Sequence, residues 1–141
     1  MIDEDGIKKI LVIRRLLCDS CGKIHHELPD CLVPYKRYAS QWIEAVITNQ
    51  QMCFVAVDES TIQRWQRWFA ELKSYFLDSI IALNKRLDFK THEHLTRPHG
   101  TALEGIIKLV NRKAGWLAVL VRMLVNTKIW VQTRSAFLSN R

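Results

Sequence analysis

A long apolar stripe in the middle of the chain constrains the fold more than any other feature. Its members recur at spacings of three and four residues, the period of one face of an α-helix. They are Ile62, Trp65, Phe69, Leu72, Phe76, Ile80 and Leu83. The segment from Ser60 to Gln63 has the pattern of a capping box, so we predict that this helix begins at Ser60. Trp65 should be buried within the stripe, whereas Trp68 lies at its edge.

Shorter elements are predicted on both sides of this helix. The segment from Lys9 to Leu17 is apolar and β-branched, which favours a strand. Helices are predicted for Ser40 to Ile47, for a stretch opened by a capping box from Thr101 to Glu104, and for Trp116 to about Trp130. The last of these is apolar on nearly all sides, so it should be buried against the long helix.

Three of the four cysteines and two of the five histidines fall within the fourteen residues from 18 to 31. Cys18, Cys21, His26 and Cys31 follow the spacing C-x2-C-x4-H-x4-C, in which two thiolates of one turn can reach the same zinc ion. In a reducing compartment such a cluster is more typical of a metal site than of a disulfide framework. We therefore predict zinc bound by these four ligands. A metal-free hairpin with inert thiols is the alternative.

The positive charge is concentrated in the last quarter of the chain. The net charge is +7, and after Glu104 there are seven basic residues and no acidic one. This distribution favours a polyanionic partner, because contacts to phosphate release counterions. A solvated cationic face is the alternative.

The sequence disfavours two broad classes of protein. The chain does not begin with a basic and then apolar leader, and its longest apolar run, Trp116 to Val125, is shorter than the roughly 20 residues that span a bilayer. We expect a soluble cytoplasmic protein without a membrane partner. We find no glycine-rich phosphate loop, no nucleophile beside an evident base and no carboxylate triad on strand-like stretches, so we expect no enzymatic activity.

Two segments carry residue types that contact nucleic acid. In the long helix, polar groups near the start fall off the apolar stripe, where amides and guanidinium groups can read a major groove. A block rich in tyrosine and basic residues, from Pro34 to Tyr38, precedes it and suits phosphate contact. The candidates are Thr61, Gln63, Arg64 and Arg67 in the helix and Lys36 and Arg37 in the block. The alternatives are a solvated helix face and a capping loop whose tyrosines pack in the core.

The segments Val12 to Asp30, Val33 to Tyr38 and Asp58 to Phe69 resemble a bacterial family of domains of unknown function, number 6431. The resemblance covers roughly residues 7 to 70. It implies a zinc ribbon plus helix-turn-helix of the kind found with insertion-sequence transposases. Such ribbons carry a second C-x2-C pair upstream of Cys18, which this sequence lacks. The alternatives are a truncated ribbon and a site completed by His26 and Cys31. The cysteine cluster by itself is also similar to the retroviral-type zinc knuckle.

We therefore expect a mainly α fold: a helical bundle with an irregular helix-turn-helix and a small N-terminal β-hairpin of zinc-ribbon or knuckle type. Residues 1–38 would hold the ribbon-like hairpin and its connector, residues 39–85 the helix-turn-helix-like region, and residues 86–141 a basic helical region.

The expected function is binding of double-stranded DNA, as in the non-catalytic, target- or end-recognition part of a transposition protein. One alternative is a protein–protein interaction module, with a protein partner or a homodimer. Another is binding of single-stranded RNA or DNA through the CCHC knuckle, where Ile24 and Tyr35 would offer faces to unstacked bases.

Overall fold

Four helices and one two-stranded hairpin make up the computed structural model, which describes residues 1–3, 6–27, 29, 31–50, 57–87 and 99–130. The elements are β1 (Arg15–Leu17), β2 (Ile24–His26), α1 (Ser40–Ile47), α2 (Glu59–Leu87), α3 (Ala102–Val110) and α4 (Trp116–Asn126). The predicted mainly α fold with a small N-terminal hairpin is confirmed. Helix α1 has the predicted bounds. None of the described helices is long and apolar enough to cross a membrane.

Helix α2 begins one residue earlier than predicted, because Asp58 and not Ser60 caps it. The backbone N–H of Thr61 donates to Asp58 Oδ1 over 2.9 Å, and the hydroxyl groups of Ser60 and Thr61 also donate to this carboxylate. These bonds lower the pKa of Asp58 to about 2. A carboxylate at this position satisfies a free N–H, as a serine hydroxyl would, and its negative charge also interacts favourably with the helix dipole. The predicted capping box is therefore wrong, and Gln63 instead donates to Glu59.

Helix α3 begins with the predicted capping box. The backbone N–H of Glu104 donates to Thr101 Oγ1 over 3.2 Å, and the backbone N–H of Thr101 donates to Glu104 Oε2 over 2.9 Å. Both bonds are local in the sequence, which explains why the pattern alone was sufficient to locate this helix start.

The apolar stripe of α2 forms the centre of the core, where α2 contacts α1, α3 and α4. The ring of Phe69 meets that of Trp116 at 5.6 Å between centroids, and Phe76 stacks on Trp130 at 5.3 Å. The predicted burial of α4 against the long helix is thus confirmed. Helix α4 ends at Asn126, however, and Trp130 lies in the segment that follows it.

Trp68 is buried rather than at the edge of the core, with a relative exposure of 6% against 3% for Trp65. Its ring lies 5.8 Å from that of Phe76 and 6.3 Å from that of Trp130. The prediction that Trp68 is peripheral is wrong, because the segment after α4 folds back and widens the buried face of α2.

Glu44 links the middle of α1 to the start of α4. Its carboxylate is buried and accepts hydrogen bonds from the backbone N–H groups of Gly115, over 2.7 Å, and Leu117, over 3.0 Å. Gly115 occupies the cap position of α4 with φ of +75°, a left-handed conformation that favours glycine. A residue of one helix therefore satisfies the free donors at the beginning of another.

The hairpin is much shorter than the strand predicted from Lys9 to Leu17. Only Arg15–Leu17 pairs with β2, in the antiparallel register Arg15↔His26, Leu16↔His25 and Leu17↔Ile24. Ile10 and Val12 are more than 90% exposed. A strand needs a partner strand for its backbone hydrogen bonds, and β2 ends at His26, opposite Arg15. The prediction of a strand for residues 9 to 14 is therefore wrong, although their side chains favour one.

Candidate metal centre and nucleic-acid interface

The turn between β1 and β2 brings two cysteines together. The backbone N–H of Cys18 donates to the carbonyl of Lys23 over 2.9 Å, and that of Gly22 donates to the carbonyl of Cys18 over 2.8 Å. Gly22 has φ of +64°, in the left-handed region where a side chain would be strained. This tight turn fixes the positions of Cys18 and Cys21 at the tip of the hairpin.

Hydrogen bonds within the turn lower the pKa of the Cys18 thiol. The largest effect comes from the backbone N–H of Cys21, followed by the Cys21 side chain and the backbone N–H of Ser20. Hydrogen bonds to the charged form favour the thiolate. Since the thiolate is the form of cysteine that binds metals, the turn prepares Cys18 as a ligand.

His25 completes a group of three candidate ligands with Cys18 and Cys21. One ligand atom of each residue lies within 4.8 Å of the others, and Cys21 Sγ is 3.4 Å from His25 Nε2. A sulfur and a nitrogen bound to one tetrahedral ion, at ~2.3 Å and ~2.0 Å, would be about 3.5 Å apart. This group fits a metal ion in both chemistry and spacing.

The other two predicted ligands lie elsewhere. Because side chains alternate along a strand, His26 points to the face opposite to His25, where it lines a groove with Val121 and Arg122 of α4. Cys31 is half-buried, with its Sγ 3.7 Å from Met1 Sδ. The structure thus brings together Cys18 and Cys21 from the predicted set and adds His25. The register of the hairpin, which depends on the length of its turn, was the signal that could have indicated His25.

The connector before α1 packs against the start of α2. Lys36 Nζ lies 4.8 Å from the centroid of the Trp68 ring, and the ring of Tyr38 meets that of Trp65 edge-on at 5.0 Å. Burial, and secondarily the nearby charge of Arg64, lower the pKa of Lys36. Tyr38 is partly buried, as the capping-loop alternative suggested, but Tyr35 is 57% exposed. The connector therefore places Lys36 over the ring of Trp68 and within range of the charge of Arg64.

The predicted polar face at the start of α2 is present, although three of its side chains, Thr61, Gln63 and Arg64, already have partners. Arg64 donates to the Ser60 carbonyl over 3.1 Å and to Thr61 Oγ1 over 3.0 Å. The Thr61 hydroxyl in turn donates to Asp58 over 2.8 Å. Gln63 and Arg67 are exposed on the same helix, and Arg37 is exposed on the connector. Residues 48–58 lie between α1 and α2 in the sequence, and since residues 51–56 are outside the described residues, the predicted irregular helix-turn-helix stays a prediction.

Comparison with known proteins gives one result for the N-terminal part of the chain. Residues 1–65 match the family model described as domain of unknown function DUF6431. No curated protein matches the chain. No solved structure matches it either. The matched segment contains the hairpin, α1 and the first turns of α2, and with them every candidate ligand and every candidate nucleic-acid contact except Arg67. Residues 1–65, just under half of the chain, are therefore similar to the DUF6431 family, as the sequence predicted.

Proposed function

We propose that the chain binds double-stranded DNA and acts by binding alone, as a non-catalytic recognition part of a transposition protein would. The observation that carries this proposal is the position of Lys36 over the ring of Trp68 at the start of α2, within range of the charge of Arg64, with Gln63 and Arg67 exposed on the same helix. A half-buried cation over an aromatic ring, with a second cation within electrostatic range, is a favourable environment for a phosphate.

The orientation of α2 supports the same proposal. Trp65, Trp68 and Phe69 are buried on one side of the first turns, which fixes the rotation of the helix about its axis. Arg64 and Arg67 are three residues apart, so they lie about one turn from each other on the exposed side. Arginine can bond two atoms of a guanine edge or of a phosphate, and glutamine can do so with adenine.

Basic residues elsewhere add a general attraction for a polyanion. Those in the described part of α3, α4 and their connections are exposed: Lys108, Arg112, Lys113, Arg122 and Lys128. The remaining two of the seven bases after Glu104, Arg134 and Arg141, lie outside the described residues. Such charge raises affinity and association rate without sequence preference.

Alanine at Arg64 or Arg67 is expected to weaken duplex binding without unfolding the protein. A base-reading arginine should cost roughly 1–3 kcal/mol and relax preference at one position, whereas a phosphate contact should weaken all sequences and reduce the salt slope by about one. Gel-shift titrations of random and selected duplexes over a salt series measure both. Arg86→Ala is the matched control, because Arg86 is exposed on the same helix about 33 Å from Arg64.

Unchanged duplex affinity of both variants at physiological salt would show that the start of α2 is only a scaffold. A loss of the same size in Arg86→Ala would instead show that the effect comes from net charge alone.

We further propose that the metal held by Cys18, Cys21 and His25 is zinc. Two thiolates and an imidazole are ligands that zinc prefers, and the reducing cytoplasm expected from the sequence keeps such thiols available. The ion would fix the turn of a hairpin that has only three residue pairs. This would hold β1 and β2 together at the turn.

His25→Ala is expected to lose most of the bound zinc, while His26→Ala should keep it. The two histidines are adjacent but lie on opposite faces of β2, so they form a matched pair. Metal analysis of protein purified without chelator measures the effect, and the parent should carry about one zinc per chain. Loss of zinc in His26→Ala or Cys31→Ser, with retention in His25→Ala, would favour the CCHC site predicted from the sequence spacing.

A protein-interaction module is a second candidate function, because the N-terminal arm and hairpin expose large apolar side chains. Ile10, Val12 and Leu17 are 92%, 94% and 67% exposed. Binding of single-stranded RNA or DNA is a third candidate, because the exposed side chains of Ile24 and Tyr35 would offer apolar faces to unstacked bases. Titrations with single-stranded and duplex oligonucleotides of the same sequence separate these candidates. A duplex-binding protein should prefer the duplex and a knuckle-type protein the single strand, whereas a protein-interaction module should show no salt-dependent binding to either.

A further inference from the structure

One of the three candidate ligands, His25, lies on the outer face of the hairpin, which we define as the side that carries Leu16 and His25, and the two cysteines lie in the turn at its tip. The opposite side carries His26, which faces the groove shared with α4. On the outer face, Leu16 is directly across from His25 and is 52% exposed, and Cys21 at the tip is also exposed. Of the three candidate ligands, Cys21 is therefore open to solvent, whereas Cys18 and His25 are half-buried.

The candidate metal site has three ligands, one fewer than a structural zinc site. Within the described ranges, the only group of cysteine, histidine and acidic ligand atoms close enough to share a metal has three members. Structural zinc has four protein ligands, whereas three-ligand sites keep one position for an external molecule. His26 cannot reach the ion without reversing the alternation of β2, and Cys31 lies against Met1.

We infer that the metal bound by Cys18, Cys21 and His25 keeps a fourth position that is open to solvent beside Cys21 and accepts a thiolate from a small thiol or from a second copy of the chain. This inference rests on the proposed metal site. Two thiolates and a neutral imidazole leave a divalent ion formally uncharged, so a third thiolate adds one negative charge. Lys23, exposed in the turn between Cys21 and β2, is a cation that favours that charge. On binding, the incoming thiol releases its proton to the buffer and forms one metal–sulfur bond.

Cobalt(II) substitution tests the inference, because the intensity of the thiolate-to-cobalt charge-transfer band follows the number of bound thiolates. Full-length protein loaded with one equivalent of cobalt in thiol-free buffer should show two thiolates. Addition of 2-mercaptoethanol should then raise the band by about half, as two metal–sulfur bonds become three. His26→Ala and Cys31→Ser should respond like the parent, and His25→Ala should bind cobalt weakly. Far-ultraviolet circular dichroism verifies that each variant is folded.

Two arms distinguish the sources of the thiolate. A small thiol raises the band at any protein concentration. A cysteine of a second copy raises it without added thiol as protein concentration increases, together with the appearance of a dimer in sedimentation, and Cys31→Ser or Cys53→Ser identifies which cysteine is used. Either result supports an open position.

Other results overturn the inference and separate it from the proposed metal site. A three-thiolate spectrum in dilute, thiol-free, monomeric protein shows that the chain completes its own site. A two-thiolate spectrum that 2-mercaptoethanol does not change shows a fourth position that is closed to thiols. Failure to bind cobalt or zinc at all overturns the metal site itself, while leaving the proposal of duplex binding by α2 to its own test.

Discussion

Replacement of Glu44 by alanine is expected to destabilise the protein by about 2–5 kcal/mol, because it leaves one buried and one part-buried backbone donor without an acceptor. The carboxylate accepts from the N–H groups of Gly115 and Leu117, and no side chain of α4 itself caps the helix. Urea unfolding followed by circular dichroism measures the change in the free energy of unfolding.

Two further variants show whether the effect comes from these hydrogen bonds. Glu44→Gln keeps one acceptor oxygen, so it should lose less stability than Glu44→Ala. Glu71→Ala removes an exposed carboxylate from α2 and should change stability by no more than about 0.5 kcal/mol. If Glu44→Ala unfolds at the same urea concentration as the parent, the link between α1 and α4 does not stabilise the fold.

Trp68→Ala is expected to cost about 3–5 kcal/mol, as large as the effect of Trp65→Ala, because both indoles are buried. The Trp68 ring contacts Phe69, Phe76 and Trp130, so its removal opens a cavity among aromatic rings that cannot collapse easily. Urea unfolding of both variants under identical conditions gives the comparison.

The alternative result is equally specific. If Trp65→Ala costs several kcal/mol and Trp68→Ala less than about 1 kcal/mol, the ranking predicted from the apolar stripe is correct and Trp68 is peripheral. Trp68→Phe is a useful addition, because it keeps a ring beneath Lys36 and should recover part of the loss.

Local patterns in the sequence were sufficient to predict most helices. The bounds of α1, the capping box of α3 and the stripe of α2 all depend on residues within a few positions of one another. The start of α2 was the local feature that the sequence pattern did not predict correctly. Asp58 lies two residues before Ser60, and its carboxylate accepts the hydrogen bond from the N–H of Thr61. When several capping residues occur together, the sequence does not say which of them occupies the cap position.

Features that depend on distant residues could not be predicted. The choice of His25 over His26 follows from the register of β1 and β2, and a shift of one residue would exchange the two. The burial of Trp68 follows from the return of Trp130 after α4, and the role of Glu44 follows from its approach to residues 115 and 117. At the start of α2, the sequence identified the polar residues but not the hydrogen bonds between Arg64, Ser60 and Thr61.

Helix α2 extends well beyond the family segment, which ends at residue 65, and continues to Leu87. Its 29 residues give a rod roughly 44 Å long. A duplex held at its first turns would therefore lie at a fixed distance and direction from whatever is joined to its last turn. Because the apolar stripe of α2 is packed in the core, inserting or deleting one residue before Phe76 would turn Phe76, Ile80 and Leu83 by about 100° away from their partners, so the core itself fixes the length and direction of this rod.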